Sequence, residues 1–364
     1  MQDTAFLFDY YIMWSFGALA LQGANPYDEA SIRATLAGLD LVCNHPLCGH
    51  VPWILWLYSL LALFPFDVSR ILFFAIMLSA IAVSIGWSWR FLKEEHANFN
   101  LTGIELAIAV LAFSPNINSL RWGQTNPLLL LGLIGFLHYR RKGDERSAGL
   151  ALSFLLSKPH LVLPLLAYLT AYWIRTRRAS AFVYCALALL LQLGMTFALS
   201  PQALHSYPQD MLRCMEISKA FHMPAFSILL PNLFGIPALY YLILFIGISA
   251  GAVLGLKRNS EVTKDIYLVL PLSLLVAPYT WSHSYVLLLI PYLDIVWHGL
   301  RWWKSLTLAI LGIAALVQYW LSFTQAFGVD VYMVFIPITI LTLQCLIRWS
   351  AYPLRAGTCK DRDP

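Results

Sequence analysis

Charge is what this sequence lacks most. Only 12% of its 364 residues are Asp, Glu, Lys or Arg, about half of the roughly 25% that soluble domains carry. Hydrophobic residues make up 59% of the chain, and its mean hydropathy is +0.68. Most of its length must therefore avoid water. The polar stretches are too short for a soluble domain. The alternating ten-residue segments of a membrane barrel are also missing. Backbone groups left without partners in lipid cost several kcal/mol each, so the apolar runs have to be helices. There is no nucleotide-phosphate loop, which excludes an ATP-driven pump. No internal repeat is visible, which weighs against a transporter built from two related halves. A charged start, an apolar core and a small-residue cleavage site are absent at the N-terminus, so no cleavable signal peptide is expected. The net charge of +5 is no nucleic-acid signature, because the basic residues sit in short clusters between apolar runs.

Those clusters orient the chain, since cytoplasmic loops of membrane proteins collect Lys and Arg. They are Arg140, Arg141, Lys142 and Arg146; Arg175, Arg177 and Arg178; Lys257, Arg258 and Lys264; Arg301 and Lys304; and a tail with Arg348, Arg355, Lys360 and Arg362. Apolar segments fall near 51–66, 70–92, 103–139, 147–174, 179–199, 236–256, 265–278, 285–297, 305–321 and 333–347. Several are shorter than the ~20 residues of a straight span. Short or interrupted helices in a membrane border a cavity or site, where irregular backbone finds partners. The spacing predicts a broken crossing over 103–139 and a dipping hairpin over 147–174, split at Ser157-Lys158-Pro159-His160. The expected fold is an all-α polytopic transmembrane bundle with several short or broken helices around a membrane cavity. Residues 1–50 form an extracytoplasmic region with an interfacial helix, 51–347 a multi-span domain, and 348–364 a cytoplasmic tail.

Chemistry-bearing residues are few. Asp9 precedes an apolar, aromatic stretch over 10–22, read as an amphipathic helix lying at the interface, which ends at the turn Gly23-Ala24-Asn25-Pro26-Tyr27-Asp28. A carboxylate held beside aromatic rings at a membrane surface can act as a general base; its plainer reading is a solvated acid near a terminus. Lys158 is a cation inside an apolar stretch. Such a residue marks a functional site or snorkels to the interface, and it suits a lipid-linked phosphate. Arg121, Gln124 and Asn126 form a polar cluster that could equally cap or join helices. His283, in Pro278-Tyr279-Thr280-Trp281-Ser282-His283, suits a sugar or phosphate, or is an ordinary interfacial imidazole. Cys43 and Cys48 lie among His45 and His50. Their spacing and compartment favour a local disulfide, or a pairing with Cys214, over zinc. No metal site and no cofactor are expected.

In their order, these motifs resemble glycosyltransferase family 87, the polyprenyl-phosphate-mannose-dependent mannosyltransferases of the GT-C class. The matching pieces are Asp9-Tyr10 with Gly23 to Asp28, Ser114-Pro115 with Gly123 to Asn126, Gly149 to Pro159, and Pro278 to His283. The family carries a transmembrane helix before the Asp-aromatic pair, where this chain has eight residues, and a Tyr-Pro-Pro run where this chain has His45 to Pro52. The resemblance implies a GT-C-like fold in a bacterial plasma or inner membrane. It also implies transfer of a hexose, mannose first, from a polyprenyl-phosphate donor to a hydroxyl of a glycolipid or glycan acceptor, with inversion. Asp9 takes the base position. Lys158, Arg121 and His283 are placed at the donor phosphate, and Tyr27, Asp28, Gln124, Asn126 and Trp281 at the sugar or acceptor. Another lipid-linked sugar, a non-catalytic transporter and an inactive scaffold are the competing readings.

Overall fold

The computed structural model describes residues 8–41, 50–96, 98–99, 101–220, 223–257, 261–323 and 333–356, and among them there are helices and turns but no strand. Helices α1 (Phe8–Leu21) and α2 (Glu29–Ala37) precede a 3-10 turn at Pro52–Ile54 that leads into α3 (Leu55–Ala62). Helix α4 (Phe66–Glu95) is the first long one, and α5 (Gly103–Ala112), α6 (Pro115–Arg121) and α7 (Asn126–Arg141) follow it. Helix α8 (Glu145–Leu155) is joined to α9 (Leu163–Thr176) through a 3-10 turn at Pro159–Val162. Then come α10 (Ser180–Leu199), α11 (Pro201–Ala220), α12 (Phe226–Phe234), α13 (Ala238–Leu256) and α14 (Val262–Leu275). A 3-10 turn at Ser282–Leu288 opens α15 (Leu289–Phe323), which is kinked at Trp303 (φ −143°, ψ 54°), and α16 (Phe335–Ala356) closes the described chain. The protein is thus an all-α polytopic bundle.

Three helices are long and apolar enough to cross a membrane: α4, α10 and α13. Much of their surface stays open. Leu187, Leu190, Leu191 and Phe197 on α10, and Tyr241, Leu242, Phe245 and Val253 on α13, are each more than half exposed. Apolar surface on this scale has no place in water, and in lipid it has no penalty. Two more candidate spans are bent pairs. Helices α5 and α6 meet at 60° around Pro115, and α8 and the Pro159–Thr176 segment meet at 114°. Proline explains both breaks, because it lacks an N–H and its ring clashes with the preceding turn. The chain breaks expected within 103–139 and 147–174 fall at these bends.

Without a hydrophobic drive between them, membrane helices associate through close backbone packing at small residues. Gly247, Gly251 and Gly255 form such a stripe on α13. A Cβ placed at Gly251 would sit 2.1 Å from the Pro164 carbonyl oxygen, and one at Gly255 would sit 2.3 Å from that of Tyr168. Helices α9 and α13 therefore touch backbone to backbone.

Helix α1 departs from the sequence expectation. An amphipathic helix lying in the interface needs a polar face. Between Tyr10 and Ala20 every residue is buried except the half-buried Trp14. Tyr10 stacks on Phe73 (centroids 4.2 Å apart), Tyr11 meets Phe66 edge-on, and the position of Gly17 admits only hydrogen beside the Tyr58 backbone. The helix is held as core, not laid on a surface.

These contacts leave the bundle with two unlike ends. The last turns of α4, α7 and α9 and the start of α14 meet around a cavity of about 430 Å³ lined by Glu94, Glu95, Arg140, Arg141, Tyr172, Glu261 and Lys264. The start of α1, the α6–α7 corner, the α8–α9 bend and the 3-10 turn at Ser282–Leu288 meet at the other.

Candidate active site

The second end is built from chain breaks. Gly123 turns the chain with φ +71°, a left-handed conformation that favours glycine. The Gln124 backbone N–H then donates to the Ser119 carbonyl (2.9 Å), which closes the corner. Just before Gly123, the Trp122 carbonyl accepts from the Asp9 N–H (3.0 Å). The first turn of α1 is thereby pinned to the α6–α7 corner. Lys158 (φ −139°, ψ 71°) occupies the bend between α8 and α9, just before Pro159. Trp53 steadies this bend, its indole N–H donating to the Leu156 carbonyl (3.1 Å).

Gln124 joins the two charges. Its Nε2 donates to the Asp9 carboxylate, while its Oε1 accepts from Lys158 Nζ. A single amide, fixed in orientation by its two partners, therefore lies between an acid and a cation. Asp9 and Lys158 each keep part of their surface open although the chain surrounds them. Burial pushes the Asp9 carboxyl up to about 6, against the opposing pull of the Gln124 hydrogen bond and the Lys158 charge. An acid with that value is largely ionised at neutral pH and still binds a proton readily, as a general base must.

Three buried imidazoles, those of His50, His160 and His283, lie within electrostatic reach of the cation. Burial, helped by that charge, pushes His50 down to about 3 and His283 well below the usual histidine range. Both rings are therefore neutral at physiological pH and can each offer one N–H. His160 is buried and stacks on Tyr279 with centroids 4.0 Å apart, and its Nδ1 has no hydrogen-bond partner among the described residues. His50 Nδ1 lies 3.4 Å from the Tyr58 hydroxyl, and its carbonyl accepts from the Tyr27 hydroxyl (2.6 Å).

Of the residues singled out in the sequence, Asp9, Gln124 and Lys158 come together directly, and His283 lies within range of the lysine. Tyr27 is linked to them through His50. Arg121 is half-buried in the last turn of α6, beside the carbonyl that holds Asp9. Asn126 is fully buried at the start of α7, and neither its Oδ1 nor its Nδ2 has a partner among the described residues. Trp281 packs beside Met223, Ile228 and Tyr240. Asp28 stands apart: it is exposed and caps α2, its carboxylate accepting from the Ser31 N–H (2.9 Å) and hydroxyl (2.6 Å). Cys43 and Cys48 lie outside the described residues, while Cys214 is buried on α11 with its thiol 3.9 Å from the Asp210 carboxylate.

Sequence reasoning passed over His50 and His160. His160 stands two residues from Lys158 in the same interruption, so it carried a signal. His50 was hidden at the end of a Cys/His segment whose spacing suggests a disulfide or metal.

Neither a curated protein nor a solved structure matches the chain. The model of glycosyltransferase family 87 matches residues 51–278, more than half of the chain, including Gln124 and Lys158 and leaving Asp9 outside. On that match, and with its apolar spans and interrupted helices, this membrane glycosyltransferase belongs to glycosyltransferase family 87.

Proposed function

We propose that the enzyme moves a hexose, mannose in the first instance, from a polyprenyl-phosphate donor to an acceptor hydroxyl with inversion, and that Asp9 is the general base. The observation that carries this reading is the line from Asp9 through Gln124 to Lys158. Glycosyl transfer from a lipid phosphate needs a base at one side of the anomeric carbon and positive charge at the other. The acceptor hydroxyl gives its proton to the Asp9 carboxylate as its oxygen attacks the anomeric carbon. The bond from that carbon to the phosphate oxygen breaks on the opposite face, and its electron pair leaves with the polyprenyl phosphate. Lys158 stabilises the departing anion as a point charge, and the neutral rings of His50, His160 and His283 supply hydrogen-bond donors around it. Gln124 holds base and cation at opposite ends of one amide.

The orientation follows from charge. The end holding Arg140, Arg141 and Lys264 is cytoplasmic in this reading, and the Asp9 end extracytoplasmic, in the cell membrane of a bacterium. Acceptors are glycolipids or glycans on that face. Another lipid-linked sugar could fill the same geometry, since the phosphate-binding groups do not read the sugar. The test is transfer from radiolabelled polyprenyl-phosphate mannose, and from the corresponding pentose and aminosugar donors, by the wild type and Asp9→Asn. Product from mannose that disappears in Asp9→Asn supports the reading. Product from another donor alone moves the sugar assignment, and full activity of Asp9→Asn removes the base.

A further inference from the structure

At the opposite end of the molecule, three metal-ligating side chains converge outside the Asp9–Lys158 site. His96 caps the C-terminus of α4. Asp294 and His298 stand one turn apart on α15, so they share a face. His96 Nε2 lies 2.8 Å from Asp294 Oδ1, His298 Nδ1 lies 3.7 Å from the same oxygen, and the three ligand atoms all lie within 4.8 Å of one another. We propose that His96, Asp294 and His298 bind one divalent transition-metal ion of the zinc type, which clips the end of α4 to α15.

Two imidazoles and one carboxylate form a familiar zinc ligand set, with a fourth position left for water. Bonds of about 2.0–2.2 Å at tetrahedral angles place ligand atoms about 3.4 Å apart. The observed separations bracket that value, and about an ångström of side-chain movement closes the set. The carboxylate is already aimed. Gln344 on α16 donates to Asp294 Oδ2 (3.0 Å) and anchors itself on the Pro291 carbonyl (3.0 Å), which leaves Oδ1 facing the two rings. Such outer partners orient ligands in metal sites. Trp297 walls the cluster on one side, 6.0 Å from the His96 ring and 5.1 Å from Phe99.

Charge gives the motive for binding. The Asp294 side chain is only 6% exposed, and its ion-pair partners among the described residues are these two imidazoles. A buried carboxylate needs a compensating cation. The nearby Arg348 is directed at Asp265, 3.6 Å away. Both imidazoles keep about a quarter of their surface open, so an ion can enter. His298 Nδ1 donates to the Asp294 backbone carbonyl (2.9 Å). Binding would exchange that bond for one to the metal, with the ring proton on Nε2.

Purified protein in detergent, stripped with a chelator and dialysed against Zn²⁺, tests this. The expected result is one bound zinc per chain assigned to this cluster, a raised melting temperature, and no competition from Mg²⁺. The variant His96→Gln preserves a hydrogen bond to Asp294 but removes the imidazole; it should melt like the metal-free wild type and lose the zinc-dependent rise. Gln344→Ala should weaken zinc affinity about 10–100-fold. His160→Ala should bind zinc as the wild type does, which separates this cluster from the three histidines at the other end. A wild type that takes up no zinc, or His96→Gln and His298→Ala that take up as much as the wild type, would overturn the proposal.

Discussion

The two ends of this bundle carry similar residues in opposite surroundings. At the basic end, Arg141 pairs with Glu94 at 3.5 Å and both side chains are well exposed. Arg140 donates to the Tyr172 hydroxyl (2.8 Å) and lies over its ring. The charges that line the cavity there are solvated or matched locally. At the other end Asp9 and Lys158 are joined through Gln124, and the Lys158 charge reaches three buried imidazoles. An ion pair chosen for stability would close directly. Asp9 and Lys158 are instead joined through a third side chain, so what separates the two ends is how charge is partnered, not how much of it is present.

The largest effect should come from removing the base. Asp9→Asn should lower transfer by about 10²–10⁴-fold while leaving membrane insertion and donor binding intact, measured by radiolabel transfer and by titration with a non-hydrolysable polyprenyl-phosphate analogue. Next, Lys158→Ala should lower transfer about 10²–10³-fold, the range seen when a donor to a developing anion is removed. It should weaken the donor analogue more than the acceptor. Equal donor affinities in the two proteins would make the lysine a cap of the α8–α9 bend. The comparison then extends to packing. Gly251→Leu should destabilise the bundle by at least about 1–3 kcal/mol, because the added side chain meets the Pro164 backbone; thermal melting in detergent reads this. At the basic end, Arg141→Gln should change stability by no more than about 1 kcal/mol and leave transfer untouched. A large loss there would erase the distinction between the two ends.

Much of this architecture is legible in the sequence because lipid imposes simple rules. Apolar length marks the spans of α4, α10 and α13, and Pro115 and Pro159 mark the breaks. Asp9 and Lys158 stand out singly as charges in apolar surroundings, and Gln124 stands out within the polar cluster with Arg121 and Asn126. Their junction does not, since Gln124 is 115 positions from Asp9 and 34 from Lys158, and the hydrogen bonds arise only when the α6–α7 corner folds against α1. Helix α1 misleads for a related reason. Its aromatic residues suit an interface equally well, and only the packing of Tyr10 on Phe73 and of Gly17 on the Tyr58 backbone makes it core. Asp28 shows the converse: its place in the turn motif suggests a ligand, while its geometry is that of a helix cap. The His96–Asp294 contact spans 198 positions and leaves no local spacing to read.

The pH dependence of kcat/KM for the donor, which reports the free enzyme, is the most direct measurement of the base. Burial holds the Asp9 carboxyl near 6; an ordinary aspartate titrates near 4. The base works as the carboxylate, so activity is full above that value and falls as protons bind below it. Wild-type transfer should therefore show an acid limb with a midpoint near 6, losing about tenfold per pH unit below it. Transfer that stays level down to about pH 4, the ordinary aspartate range, would contradict a buried Asp9 base.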